Sequence, residues 1–229
     1  MAASNRGAEA RFRQEENPLA QLATEYLDAL LRGERNLASQ FILNAVDEGV
    51  SVRKIYLHVF QPCQRRIGRL WQTNQVSVAE EHYVTAATQL IMSQLYPHIF
   101  NTQKNGCRLV ATCVGGELHE IRVRMVADFF EMEGWDTYYL GGNTPTKSIL
   151  QSLETRQADI LAISATITFN LDAMTDLIAE VRGSQVSEGV GLLVGGRPFN
   201  ISPGLWERVG ADGYAADAQA AVSAAEQLL

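Results

Sequence analysis

The chain is poor in the residues that staple small secreted or zinc-bound folds together. Its 229 residues include 3 cysteines and 4 histidines. Cys63, Cys107 and Cys113 are odd in number and fall in no C-x-x-C or Cys/His ligand spacing. That excludes a disulfide frame and a structural zinc site, and suits a reducing cytoplasm. Positive charge is also scarce: Lys+Arg is 19 against Asp+Glu 26, a net charge of −7. An acidic chain without a basic cluster has little with which to neutralise phosphates, so direct nucleic-acid binding is not expected. Long apolar runs are missing too. None approaches the ~18 consecutive apolar residues of a membrane span. Residues 1–16 are polar and lack the apolar stretch of a secretory signal, and they read as a flexible leader. No nucleophile–base pair or carboxylate dyad stands at a usable spacing, so the chain does not read as an enzyme.

What is present is an ordinary globular composition, 46% hydrophobic and 20% charged. The pattern changes near residue 103. Residues 17–102 read as helix throughout. Asn17 and Pro18 open a first helix with the stripe Leu19, Leu22, Tyr26, Leu27 and Leu30. A second runs from about Asn36 to the stop at Gly49. A third starts at Ser51 and carries Ile55, Val59, Ile67, Leu70 and Trp71, with a kink expected at Pro62. The fourth opens on Ser77-Val78-Ala79-Glu80, a capping box. Short connections make these antiparallel neighbours, a four-helix bundle.

Residues 103–229 alternate β-branched runs with helical stretches. Strands are expected at 108–114, 136–140, 159–164, 190–194 and near Gly213-Tyr214. Helices are expected at 119–133, 146–156, 171–182 and 218–229. Five βα units in strict alternation require a parallel sheet with right-handed crossovers, a flavodoxin-like α/β domain. Ligands of such sheets sit beyond the carboxyl ends of the strands. The residues there are Gly115-Gly116-Glu117-Leu118-His119-Glu120, Gly141-Gly142-Asn143, Ser164-Ala165-Thr166, Gly195-Gly196-Arg197 and Tyr214-Ala215. Glycine and small hydroxyl residues make a slot for something bulky. His119 stands at a helix start, where the dipole favours a neutral imidazole, and Glu117 is placed to orient it. By itself His119 is either a ligand or a helix-capping surface residue. His58 and His98 read as ordinary bundle residues, and Trp71, taken alone, as core.

Residues 103–229 resemble the cobalamin-binding domain family. The family signature is D-x-H-x-x-G after the first strand, a Ser-rich segment after the third and Gly-Gly after the fourth. Here these stand as Glu117-Leu118-His119-Glu120-Ile121-Arg122, Ser164-Ala165-Thr166 and Gly195-Gly196. The resemblance implies that His119 is the lower ligand of the corrinoid cobalt and that the other two motifs line the slot for the cofactor's benzimidazole tail. Glutamate replaces the family's aspartate at 117, and Arg122 replaces its glycine.

The helical part resembles the cap of adenosylcobalamin photoreceptors of the CarH type, which carry W-x6-V-x2-E-H. Trp71, Val78, Glu81 and His82 stand at that spacing. The photoreceptors' histidine just after the tryptophan is Gln72 here. This resemblance implies adenosylcobalamin as cofactor, with Trp71 over the adenosyl group and Glu81 on its ribose. It leads to the expectation of a light-responsive cobalamin sensor. Its partner would be a downstream regulatory protein, and light or ligand would change its self-association. The alternatives are a corrinoid methyl carrier of a methyltransferase system and a module of this fold that binds another tetrapyrrole.

Overall fold

Pro62 has no N–H, so the carbonyl of His58, four residues before it, loses its helical donor. The chain answers in two ways. The helix widens into a π turn over Tyr56–Phe60, between Val52–Ile55 and Gln61–Gln72. The Asn17 side-chain amide then donates to the His58 carbonyl at 2.9 Å. The expected kink is thus a π turn, an insertion that relieves strain within a helix. The structure, a computed structural model, describes residues 17–100, 103–117 and 119–229. The expected leader and Leu118 of the histidine motif lie outside the described residues.

The chain forms two compact units, one ending at His98 and one starting at Ile99. In the first unit the helices are α1 (Ala20–Leu31), α2 (Arg35–Asp47), α3 (Val52–Ile55), α4 (Gln61–Gln72) and α5 (Val78–Gln94), and the short α6 (Tyr96–Ile99) runs across the boundary. Asn17 makes its turn slightly ahead of α1, with its Oδ1 accepting from Leu19 N at 2.9 Å. The Ser77 capping box is formed in both directions, with Ser77 N donating to Glu80 at 2.7 Å and Glu80 N to Ser77 Oγ at 3.2 Å. The core is built of Tyr26, Leu30, Ile42, Ile55, Phe60, Ile67 and Ile91, all fully buried. Tyr26 and Tyr56 flank the Phe60 ring, with centroids 5.6 and 5.3 Å away.

The second unit is a five-stranded sheet in the order β2-β1-β3-β4-β5. Its strands are β1 (Arg108–Cys113), β2 (Asp136–Gly141), β3 (Ile160–Ser164), β4 (Gly191–Gly195) and β5 (Gly213–Ala215), and every pairing is parallel. The helices are α7 (Ile121–Met132), α8 (Thr146–Arg156), α9 (Leu171–Arg182), the short α10 (Arg197–Ile201) and α11 (Leu205–Arg208), and α12 (Ala218–Glu226). α7 and α12 pack on one face, α8 and α9 on the other. β3 is buried at every position, which is why Ile160–Ser164 reads as an unbroken apolar run. Val110, Leu161, Ile163 and Leu192 meet Ile149, Leu153, Leu177 and Val181 in the main core. The strand order reverses between β1 and β3. A crevice opens at such a switch point, beyond the carboxyl ends of those two strands. Among the described residues no helix is long and apolar enough to cross a membrane.

Candidate functional site

β1 ends at Cys113, and the loop that follows puts Glu117 and His119 beyond the switch point. Helix α7 begins only at Ile121, so His119 lies in the loop ahead of it rather than inside a helix. The dipole therefore matters less to this ring than Glu117 does. Glu117 is 1% exposed. Its Oε1 accepts from the backbone N–H of His119 at 3.0 Å and from His119 Nδ1 in a short contact. Its Oε2 accepts from Thr166 N at 2.7 Å and Asn170 Nδ2 at 3.2 Å. Burial works against ionisation here, but the His119 side chain and the backbone N–H groups of His119 and Thr166 outweigh it and hold the carboxyl at about 2. An ionised carboxylate only accepts, so Nδ1 of His119 carries a proton toward Glu117. The ring is one-third exposed.

Ser164 is the last residue of β3 and is buried. Thr166, two residues on, gives Glu117 its backbone N–H, while its own Oγ1 is buried without a hydrogen-bond partner. Gly195 closes β4, in register with Ser164. Gly196 follows at φ 109°, and a Cβ there would sit 1.9 Å from the Ala165 carbonyl oxygen, so only glycine fits. Arg122 is half-buried on the first turn of α7.

Asn170, which no sequence motif includes, and Glu120, which the histidine motif includes without a role, both belong to this site. Glu120 accepts from Gly142 N at 3.1 Å, which ties the β1 and β2 loops together. Nothing in the local sequence singles out Asn170; its burial in the structure does. It is a polar residue at the entry to α9 that is 5% exposed, and so has to be hydrogen-bonded. Cys113 lies just before this loop, and burial together with Glu117 and Glu120 pushes its thiol up to about 12, so it stays inert.

The remaining predicted residues lie on either side of the turn between α4 and α5. Trp71 closes α4 and is 38% exposed, so it is not the core residue its type suggested. Val78, the first residue of α5, is 50% exposed. Glu81 is buried and holds the Nδ1 of the exposed His82 at 2.7 Å. Val78, Glu81 and His82 share one helix face, as their i, i+3, i+4 spacing requires.

The donor set of the second unit fits a corrinoid. It offers an imidazole oriented by a buried carboxylate, a glycine pair packed against Ala165, and an orphan hydroxyl at Thr166 on the same strand edge. A bare structural metal is a poorer match, since no group of three or more His, Cys, Asp or Glu side chains could hold one among the described residues.

The comparisons agree with that donor set. The dimethylamine corrinoid protein 2 of Methanosarcina acetivorans is 27% identical over 163 residues, which cover 71% of this chain and 72% of that one. A corrinoid protein of Desulfitobacterium hafniense is 22% identical over 213 residues, 91% of this chain and 97% of that one. The monomethylamine corrinoid protein of Methanosarcina barkeri shares the fold, with a TM-score of 0.79 at 19% identity over 91% of this chain and 99% of that one. These relatives overturn two expectations, the light-responsive sensor and the downstream regulatory partner. They are corrinoid proteins, several named for methylamines, rather than photoreceptors. The four residues of W-x6-V-x2-E-H are a short string on a cap, and the relatives over most of the chain weigh more. Residues 22–96 and 107–223 match two B12 binding domain families, the second over half of the chain. With a cap of one type followed by a His119-bearing sheet of the other, the chain belongs to the B12 binding domain family and takes cobalamin as its cofactor.

Proposed function

We propose that the chain is a corrinoid carrier protein of a methyltransferase system. It holds cobalamin, presents it to separate partner methyltransferases and does not itself catalyse the transfer. The observation that carries this reading is the Glu117–His119 pair, braced by Thr166 N and Asn170 at the β1/β3 switch point. The names of its relatives extend it from binding to methyl carriage.

When bound, the corrinoid's cobalt supplies a site that takes up and releases a methyl group. This chain's residues do the rest. His119 Nε2 would hold the cobalt. Glu117 holds the proton on Nδ1 and so keeps the metal-binding lone pair on Nε2. Ser164, Thr166, Gly195 and Gly196 border the space for the cofactor tail, with the Thr166 hydroxyl available to a polar group there. Arg122 is assigned to the amide or phosphate rim of the same ligand. In the first unit, Trp71, Val78, Glu81 and His82 are assigned as candidate cofactor residues, and Trp71 and Val78 are exposed.

The test loads the full chain with methylcobalamin bearing a labelled methyl group and desalts it. Retention of one corrinoid per chain is expected, followed by passage of the label to a small thiol once a corrinoid:thiol methyltransferase is added. A colourless chain overturns cobalamin binding. A coloured chain whose label never leaves overturns the carrier role.

A further inference from the structure

Gly141-Gly142-Asn143 follows β2 at the carboxyl edge of the sheet, where the sequence suggests a slot for a bulky ligand. In the fold these residues face the β1 loop instead. A Cβ on Gly142 would lie 2.7 Å from the Glu117 carbonyl oxygen, and one on Gly141, at φ 76°, would lie 3.0 Å from Glu120 Oε2. Both glycines therefore make room for protein rather than for a ligand.

The polar contacts follow the same pattern. Asn143 Oδ1 accepts from Gly116 N at 3.3 Å, and Glu120 Oε2 accepts from Gly142 N at 3.1 Å. The hydroxyl of the fully buried Thr112, on β1, reaches the Gly141 carbonyl at 3.1 Å. The turn after β2 is thus fastened to β1 itself, to the loop ahead of Glu117 and to the loop just after His119. β1 lies between β2 and β3. On the β3 side Glu117 holds Thr166 N and Asn170 Nδ2, and on the β2 side Glu120 holds Gly142 N. A loop tied at one point can pivot about it, whereas ties to opposite neighbours remove that freedom.

We propose that the turn after β2, through Gly142, Asn143 and Glu120, is a positioning element for His119. It holds the β1 loop against β2 while Glu117 holds it against β3, so the imidazole is set for the cobalt before a corrinoid arrives. The cobalt half rests on the cobalamin reading above, and the preset loop does not.

Two measurements on the full chain separate these halves. In the corrinoid-free protein, amide hydrogen exchange at Thr166 reads the loop from its far side, because that N–H donates to Glu117. Glu120→Leu removes the acceptor of Gly142 N and should speed this exchange about tenfold, the worth of one hydrogen bond to a charged group. Asn143→Gly removes the acceptor of Gly116 N at a residue with φ 55°, where glycine adds no strain, and should speed it about threefold. Glu120→Gln keeps an acceptor oxygen and should stay within about threefold of the wild type. Exchange at Thr166 that ignores both Glu120→Leu and Asn143→Gly, or that is as fast in Glu120→Gln as in Glu120→Leu, overturns the positioning role. Acceleration of the same size at Leu161, in the middle of β3, reports general destabilisation and overturns it as well.

Methylcobalamin reads the other half. The share of bound corrinoid with the absorbance of histidine ligation should fall in Glu120→Leu and return in Glu120→Gln. Wild-type ligation in Glu120→Leu, with Thr166 exchange accelerated, overturns the cobalt half alone. A wild type that binds no corrinoid overturns that half together with the cobalamin reading and leaves the exchange result standing.

Discussion

Glu117→Gln in the corrinoid-free chain is the sharpest perturbation of the site. The carboxyl of Glu117 is 1% exposed and is met by four donors: two from His119 and one each from Thr166 and Asn170. It titrates at about 2 in the fold against an ordinary 4.5. A carboxyl with a depressed folded pKa stabilises the fold fully above its unfolded value and loses that contribution as pH falls through the folded one. The difference corresponds to about 3 kcal/mol at pH 7, decreasing to about 2 kcal/mol at pH 3.5 and vanishing below pH ~2. Glutamine cannot ionise, and its NH2 would face N–H groups that already donate. The variant should therefore unfold in urea with about 3 kcal/mol less stability at pH 7, and the gap should narrow by about 1 kcal/mol at pH 3.5. The assay follows the emission of Trp135 and Trp206, both in this unit, in a Trp71→Phe background. A gap that is constant from pH 7 to 3.5, or that widens in acid, refutes the account of Glu117 as a buried anion held by its donors.

Gly196→Ala places a Cβ 1.9 Å from Ala165 O at φ 109°, between two stretches of backbone that cannot both stay put. It should cost about 4 kcal/mol or more in thermal or urea unfolding and also abolish corrinoid retention, because Ala165 precedes the Thr166 N–H that Glu117 needs. Asn170→Ala removes one donor from Glu117 and should cost about 1–3 kcal/mol of stability. Asn170→Asp sets a second carboxylate against the first and should cost more, a ranking that urea midpoints at pH 7 will read. His119→Ala should leave the fold intact while erasing the absorbance features of histidine ligation from bound methylcobalamin, and an unchanged spectrum removes His119 from the cobalt. Ser77→Ala breaks the capping box at the start of α5 and should cost about 1 kcal/mol in the first unit with no change in the His119 spectrum.

Much of this molecule is written locally. The Ser77–Glu80 box, the helix at Leu171–Arg182 and the unbroken apolar run of β3 follow from spacing over a few residues, because helix and strand periods and caps are short-range constraints. Glu117 and His119, two residues apart, are legible as an orienting pair for the same reason. The alternation of strands and helices fixes a parallel sheet, and the edge that must carry the ligand follows from the direction of its strands. What local spacing also suggested, and the relatives corrected, was the light-responsive sensor read from the cap string beginning at Trp71.

Tertiary structure decided what sits behind those motifs. Asn170 reaches Glu117 from 53 residues away because β1 and β3 are neighbours, a fact of strand order that no local period encodes. Thr88 likewise draws Tyr26 from 62 residues away, and Gln64 from 24. A buried donor or acceptor must find a partner, but its sequence context does not say which one. The partner is set when distant elements close over the same dry volume.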